Sequence, residues 1–551
     1  MSLIRHSLSS GETLHLWLKA KADAPASGVV VRCNGADIAS LEARVSADPL
    51  RQVVAAPRSG TYEIAWDPEA VLVSLAYCFD PAKGLEAAVT PLWTTPDNRV
   101  PADGPAYHFA PPWGWMNDPN GVCRVDGWFH LFYQHMPHRR RRYRTIMYWG
   151  HAVSRDGLTW THLPIFLAPR EELLLDGGSA GGAYSGSAIA DGEGGLRIFY
   201  TDREDARLPE REWQLTFRTR DGLAPAEEAS VVVAARPDIP GIKNDFRDPF
   251  VFRGPDGLWK MVLGSRSEEG GTVLLYKTEA EDAASGWRFV GEIASFAEHG
   301  LGAAECPCLL PLGDTGLWAL SVSLICHHRP TRRRNLSLLL TGRFDGRTFE
   351  VLDEGELDHG PDCYAFQGNV ADGETFGIGW AANWSEITRE EDCLTTMTLP
   401  RRLEWRGDHV ATPPLVEAEA LRGPALGRFS NVETIALPEG LAEIVLELAP
   451  EGDVSIHFDG DLAFTVTDAA MSLDFDPGEN APIHRVDARP ARLRIFVDAG
   501  IVEIYADDGR WCFTKRLDGW ARVGSLRVTG REHLRSGEVF GLRRPTSVLS
   551  R

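Results

Sequence analysis

One pattern recurs through the middle of the chain: a turn holding a glycine, followed by a short run dominated by apolar and aromatic residues. It reads Gly127-Trp128-Phe129-His130-Leu131-Phe132-Tyr133, then Gly195-Leu196-Arg197-Ile198-Phe199-Tyr200, then Gly257-Leu258-Trp259-Lys260-Met261-Val262. A fourth copy is Gly316-Leu317-Trp318-Ala319-Leu320-Ser321-Val322, and a weaker fifth is Gly373-Glu374-Thr375-Phe376-Gly377-Ile378-Gly379-Trp380. Such runs are too short and too rich in aromatic residues for helices and read as strands entering from hairpin turns. The glycines step by 68, 62, 59 and 57 residues. A repeat of this length, built from aromatic strands and turns, predicts a propeller blade of four antiparallel strands. Five copies predict five blades. Asp156-Gly157-Leu158-Thr159-Trp160 and Asp345-Gly346-Arg347-Thr348-Phe349 mark a second turn late in their repeats.

The ends of the chain carry the same strand signals without the repeat. Residues 1–100 contain Leu14-His15-Leu16-Trp17-Leu18 and Gly28-Val29-Val30-Val31-Arg32, broken by Ala, Pro, Gly and Asp, and predict a small β-sandwich-like domain. Pro91 to Pro105 reads as its linker to a propeller over 105–412. Thr412-Pro413-Pro414 to about Gly427 reads as a second connection, and alternating runs such as Ala491-Arg492-Leu493-Arg494-Ile495-Phe496-Val497 predict a C-terminal β-sandwich over 427–548. The expected class is all-β.

With 551 residues, several domains are expected. The net charge of −21 lacks the basic footprint of a nucleic-acid or anionic-membrane partner. No apolar run reaches the roughly 18 residues that span a bilayer. The first residues show no secretory signal. Nine scattered cysteines without paired motifs read as reduced thiols, so a cytoplasmic location is expected.

Upstream of each hairpin glycine lies one polar residue: Asp118, Ser185, Asp248, Glu305 and Asp362. Equivalent blades would bring all five to one level near the central channel. Asp118 sits in the turn-prone Trp115-Met116-Asn117-Asp118-Pro119-Asn120-Gly121. Asp248 follows Arg247, whose charge is expected to favour the ionised carboxylate. Glu305 stands alone among apolar residues, where burial would raise its pKa as a general acid requires. Glycoside hydrolysis needs two carboxyl groups in different environments, roughly 5–5.5 Å apart in retaining enzymes. Sugar ring faces stack on aromatic residues, and Trp113, Trp115, Tyr148, Trp149, Tyr184, Tyr364 and Trp384 lie near these motifs. About half of them are expected to be core residues instead.

At these residues the sequence resembles glycoside hydrolase family 32, which includes invertases, levanases, inulinases and sucrose-6-phosphate hydrolases. The resemblance rests on Trp115 to Gly121, Leu131-Phe132-Tyr133-Gln134, Trp149-Gly150-His151-Ala152-Val153-Ser154, Tyr184-Ser185-Gly186-Ser187-Ala188, Arg247-Asp248-Pro249 and Glu305-Cys306-Pro307. Asp358 to Ala365 and Gly379 to Trp384 complete it. It implies a five-bladed propeller followed by a β-sandwich, and retention through a covalent fructosyl-enzyme. It also implies Asp118 as nucleophile, Glu305 as acid/base and Asp248 as transition-state stabiliser. Asn117, Gln134, Trp149, Tyr184, Ser185, Arg247, Asp362 and Trp384 would bind the sugar. No metal or organic cofactor is implied. The partner is a small sugar, sucrose or a short fructo-oligosaccharide, and a homo-oligomer is compatible with the sequence.

Two basic clusters, Arg139 to Arg142 and Arg329 to Arg334, and an Arg144 where many relatives carry Trp, depart from the family pattern. They read as solvated loops, as an anion site such as one for a phosphorylated sugar, or as charge pairs with a neighbouring subunit. Fructosyl transfer, sucrose-6-phosphate hydrolysis and exo-acting levanase or inulinase activity use the same scaffold. A noncatalytic fructan-binding module is the alternative outside enzymes.

Overall fold

The repeat glycines serve the turns expected of them. In a computed structural model of the chain, Gly127, Gly257, Gly316 and Gly373 take φ between 72° and 79°, a region that L side chains resist. Asp126-Gly127 and Asp372-Gly373 both have positive φ at both residues, the pattern of a two-residue hairpin loop whose twist matches the strands. In the second repeat Gly192 and Gly194, not Gly195, hold the positive φ. The structure describes all residues except 22–27, 141–145, 176–179, 206–210, 240–244, 386, 388–393, 431–432, 477, 479 and 546–551.

Five blades follow in chain order. Their innermost strands are Trp115–Val125, Gly181–Ala190, Arg247–Arg253, Ala304–Pro311 and Tyr364–Ala371. Blades one to four each run outward through four antiparallel strands; the outermost of blade one, Trp160–His162, is short. In blade five the second strand, Glu374–Ala381, pairs with two short outer strands, Thr396–Met397 and Arg401–Arg402. Blades one and two are joined by a parallel bridge, Ile146 to Gly181 and Met147 to Gly182. A Cβ on Gly182 would lie 2.6 Å from the Met147 carbonyl oxygen, so the close approach needs glycine. The last blade closes on the start of the propeller, where Met397 N–H donates to the Phe109 carbonyl at 2.9 Å.

The N-terminal sandwich has two four-stranded sheets. The strand Thr13–Ala20 shows why they face each other. Leu14, Leu16 and Leu18 point into the sandwich core with Val29, Val31 and Ile64. Trp17, on the opposite face, packs with Trp113, Ile146 and Tyr148 of the propeller side. This is the period-two alternation of a strand buried on both faces.

The C-terminal sandwich has two six-stranded sheets around a core including Ile444, Leu446, Phe464, Ile495, Val502 and Phe513. Its first strand is Arg422–Arg428, earlier than the expected start at residue 427. A buried polar cluster ties it to the propeller. The Asp498 carboxylate accepts from the N–H groups of Ala106, Tyr107 and His108. The His108 ring bridges Asp498 and Glu503, each at 3.0 Å. Burial alone would lower the His108 pKa, but its bonds to Asp498 and Glu503 hold it at about 9. Arg401 adds ion pairs to Asp358 and Glu503, both at 2.9 Å.

Four described members of the basic clusters are structural clasps, while Arg329 and Arg334 are exposed. Arg139 pairs with Asp48 of the N-terminal sandwich at 2.7 Å, and Arg140 N–H donates to the Asp97 carbonyl. Arg332 donates to the Ala481 carbonyl of the C-terminal sandwich, and buried Arg333 pairs with Glu356. Arg141, Arg142, Tyr143 and Arg144 lie outside the described residues. Charge pairing expected toward another subunit is thus found within the chain at Arg139. Among the described residues, no helix is long and apolar enough to cross a membrane.

Candidate active site

Each innermost strand breaks register with its neighbour near the cavity, and those places build the site; the first strand has a second shift, opposite Leu131. The shifts lie between Ala183 and Gly186, between Arg247 and Phe250, between Glu305 and Cys308, and between Tyr364 and Gln367. In blade one the break falls opposite Tyr133 to His135, where Asn117 and Asp118 are inserted. Bulges redirect side chains that a regular pleat would alternate in and out. Here they carry Asp118, Ser185, Asp248 and Cys306 to one end of the channel. Asp248 and Cys306 take positive φ, 65° and 48°.

The result is a cavity of about 500 Å³ lined by Asp118, Asp248 and Glu305. Cys306 welds the three together. Its Sγ lies 3.6 Å from both the Asp118 and the Asp248 carboxylates, and its N–H donates to Asp248 Oδ2 at 2.9 Å. Asp118 also accepts from Ser185 Oγ at 2.8 Å and from Asn117 Nδ2 at 2.9 Å. Burial and the nearby charge of Glu305 push its pKa up to about 6, against the pull of these donors. Gln134, fixed by its bond to the Ala183 carbonyl, and the rings of Trp115, Tyr184 and Trp384 also line the cavity. Trp384 packs against Trp380 and Trp115, with ring centroids at 4.7 and 6.0 Å.

Several expectations need correction. Glu305 is not an acid in apolar surroundings. Cys308, Leu309 and Leu310 beyond it enter the core, while its carboxylate faces the cavity, ion-paired to Arg247 and accepting from Tyr364 Oη at 2.7 Å. Arg247 accordingly serves Glu305 and Asp245 more than Asp248, whose carboxylate is 4.0 Å away. Asp248 is pushed up to about 7: burial, with the charges of Glu305 and Asp118, outweighs Arg247. Burial disfavours the charge of Arg247 itself, but Glu305, Asp248, Asp245 and Glu212 raise its pKa well above normal.

Asp362 does not line the cavity. The fifth bulge falls at Ala365 and Phe366, so Asp362 precedes the strand; it turns to the C-terminal sandwich, accepting from Lys515 Nζ at 3.0 Å and Arg516 N–H at 2.8 Å. Trp149 is fully buried and packs on Phe132 and Tyr200. It reaches the site only through its Nε1 bond to the Tyr184 carbonyl, 3.0 Å. Trp113 and Tyr148 pack against the N-terminal sandwich.

Residues 108–414 match the model of the glycosyl hydrolases family 32 N-terminal domain, and residues 439–517 match the family's C-terminal model. The chain belongs to glycoside hydrolase family 32. It is 36% identical to a sucrose-6-phosphate hydrolase of Klebsiella pneumoniae over 75% of this chain and 88% of that protein. A levanase of Bacillus subtilis is 28% identical, over 77% of this chain and 69% of that protein. A family 32 structure from Bifidobacterium adolescentis superposes with a TM-score of 0.87 at 23% identity, covering 99% of this chain and 100% of that one. A Bombyx mori family 32 β-fructofuranosidase gives 0.68 at 28% identity, covering 81% and 95%.

This family 32 glycosidase has cavity residues that motif reading missed. Arg203 and Asp205 end the second strand of blade two and its turn, bonded to each other at 2.6 Å. Asp245 lies three residues before Asp248, and Asn335 comes from blade four. Asp245 was legible beside the Arg247-Asp248 motif. The others come from the far ends of second and third strands, where the repeat carries no signal.

Proposed function

We propose that the enzyme hydrolyses terminal β-D-fructofuranosyl bonds with net retention, through a covalent intermediate on Asp118. Glu305, between Arg247 and Tyr364, gives its proton to the glycosidic oxygen while Asp118 attacks the anomeric carbon. The bond to the leaving sugar breaks and an ester to Asp118 forms. Glu305 then takes a proton from water, whose oxygen displaces Asp118 and releases fructose. Asp248, poised by Cys306 N–H, accepts sugar hydroxyls and favours the positive charge of the transition state. The observation that carries this reading is the convergence of three carboxyl groups from three blades, two of them bridged by Cys306 Sγ. Asp118→Asn and Glu305→Gln test it. Each is expected to lower kcat on sucrose at least about a thousandfold without loss of fold, and near-normal turnover by either would remove the assignment.

The substrate is a neutral sugar, sucrose or a short fructo-oligosaccharide. Among the described residues that line the cavity, Asp118, Asp205, Asp245, Asp248 and Glu305 face only Arg203 and Arg247, so a phosphate would enter a field of like charge. A second reading, sucrose-6-phosphate hydrolysis, is favoured by exposed Arg334 next to the cavity residue Asn335 and by the name of the Klebsiella relative. Comparing kcat/KM on the two sugars decides between them. Eight described cysteines are unpaired, which supports a cytoplasmic enzyme.

A further inference from the structure

A second cavity, of about 420 Å³, lies where the N-terminal sandwich meets blade one. Nothing in the proposed chemistry uses it. One wall is the sandwich, with Lys19, Asp48 and Ser74; the other is the loop after strand Trp128–Met136, with His138 and Arg139. The two walls are bound to each other. Asp48, 4% exposed, holds Arg139; Ser74 Oγ meets His138 Nδ1 at 2.9 Å; Lys19 Nζ donates to the Ala47 carbonyl at 2.8 Å.

Among the described residues the lining is polar but electrically balanced. Lys19 and Arg139 face Asp48 and Asp97, with the hydroxyls of Ser74 and Thr95 between them. Leu72 and Pro49 supply an apolar patch. An anion would find Arg139 engaged with Asp48 and Lys19 with the Ala47 carbonyl, and an apolar ligand would strand them. A hydroxyl both donates and accepts, so a polyol can meet carboxylate, ammonium and guanidinium together. The volume falls within the usual range of small-ligand pockets, about 300–1,000 Å³.

We propose that this cavity is a second sugar site, for a neutral mono- or disaccharide. Its wall lies next in sequence to strands of the catalytic cavity. The loop carrying His138 and Arg139 follows the strand of Gln134, and the strand after it carries Met147; both residues line the catalytic cavity. The inference goes beyond the proposed reaction and does not depend on the roles given to Asp118 or Glu305.

Calorimetric titration of the full chain with fructose and with glucose, which are not hydrolysed, tests it, with inorganic phosphate as the contrasting probe. Two sugar-binding events are expected for at least one of the sugars. Thr95→Trp, at the rim, and Leu72→Trp, on the apolar patch, fill the cavity from two sides. Each is expected to weaken one event at least about tenfold and leave the other, with kcat unchanged at saturating sucrose. If one variant fails to fold, the other decides. A single binding event for both sugars overturns the proposal. So does sugar binding unaffected by the folded filling variant, or a second event seen only with phosphate.

Discussion

Asp362 separates a sugar ligand from a structural acid. Its side chain is fully buried and its Oδ2 serves two donors, Lys515 Nζ and Arg516 N–H. Asp362→Ala leaves the Lys515 ammonium, 15% exposed, without that partner and strips an acceptor from a backbone N–H. Removing one member of a buried ion pair costs about 3–5 kcal/mol. The partial exposure of Lys515 lets water recover some of this, so the lower end, about 3 kcal/mol, applies. The orphaned N–H adds about 1 kcal/mol. At about 2–4 °C per kcal/mol, the melting temperature should fall by roughly 8–16 °C. Asp362→Asn keeps an acceptor for Arg516 N–H and should lose about half as much. KM for sucrose should stay within about twofold of the parent in the folded Asn variant, since no sugar contact is removed. Thermal melts followed by circular dichroism, with steady-state kinetics well below the transition, give both readings. A normal melting temperature with KM raised about tenfold or more would show that Asp362 touches sugar and that the interdomain assignment is wrong.

Tyr364→Phe deletes a 2.7 Å hydrogen bond to a carboxylate. A bond of this type is worth about 1.5–3 kcal/mol, so kcat/KM should fall about 10- to 100-fold; an unchanged value would show that Glu305 needs no support there. With Asp118 at about 6, the acidic limb of kcat/KM should lie near that pH, because the attacking carboxylate must be ionised. Ser185→Ala removes a donor that lowers this pKa, so the limb should move to higher pH, and a pH profile showing no shift argues against the contact. His108 binds its proton more tightly in the folded chain, at about 9 against 6.5, so its stabilisation is complete below about pH 6.5 and lost as pH rises through about 9. Melting temperatures between those limits should fall in the parent and fall less in His108→Gln; parallel curves would exclude His108 as the cause.

The five-blade architecture was legible because hairpin turns need glycine at fixed places and strands need aromatic and β-branched runs. The site was legible only as far as it followed that repeat. Spacing counted back from the glycines located Asp118, Ser185, Asp248 and Glu305, but the bulge in blade five sits at Ala365, and the same count misplaced Asp362. The apolar neighbours of Glu305 in sequence gave the wrong environment, since a strand sends alternate residues to opposite faces. Trp149 could not be told from a stacking platform, because packing and sugar binding use the same ring. Arg203 and Asn335 reach the cavity from strands whose ends no motif marks.

The Asp498 clasp bears on how the molecule is made. Three successive amides at the threshold of the propeller end on a carboxylate some 390 residues downstream. A growing chain therefore reaches the last blade with its opening segment still untied, and must wait for the final domain before the knot can be drawn. Ribosome-bound chains cut short ahead of Asp498 should keep residues 106–108 open to proteases, and synthesis of the last hundred or so residues, not of the fifth blade, should mark the moment this segment becomes protected.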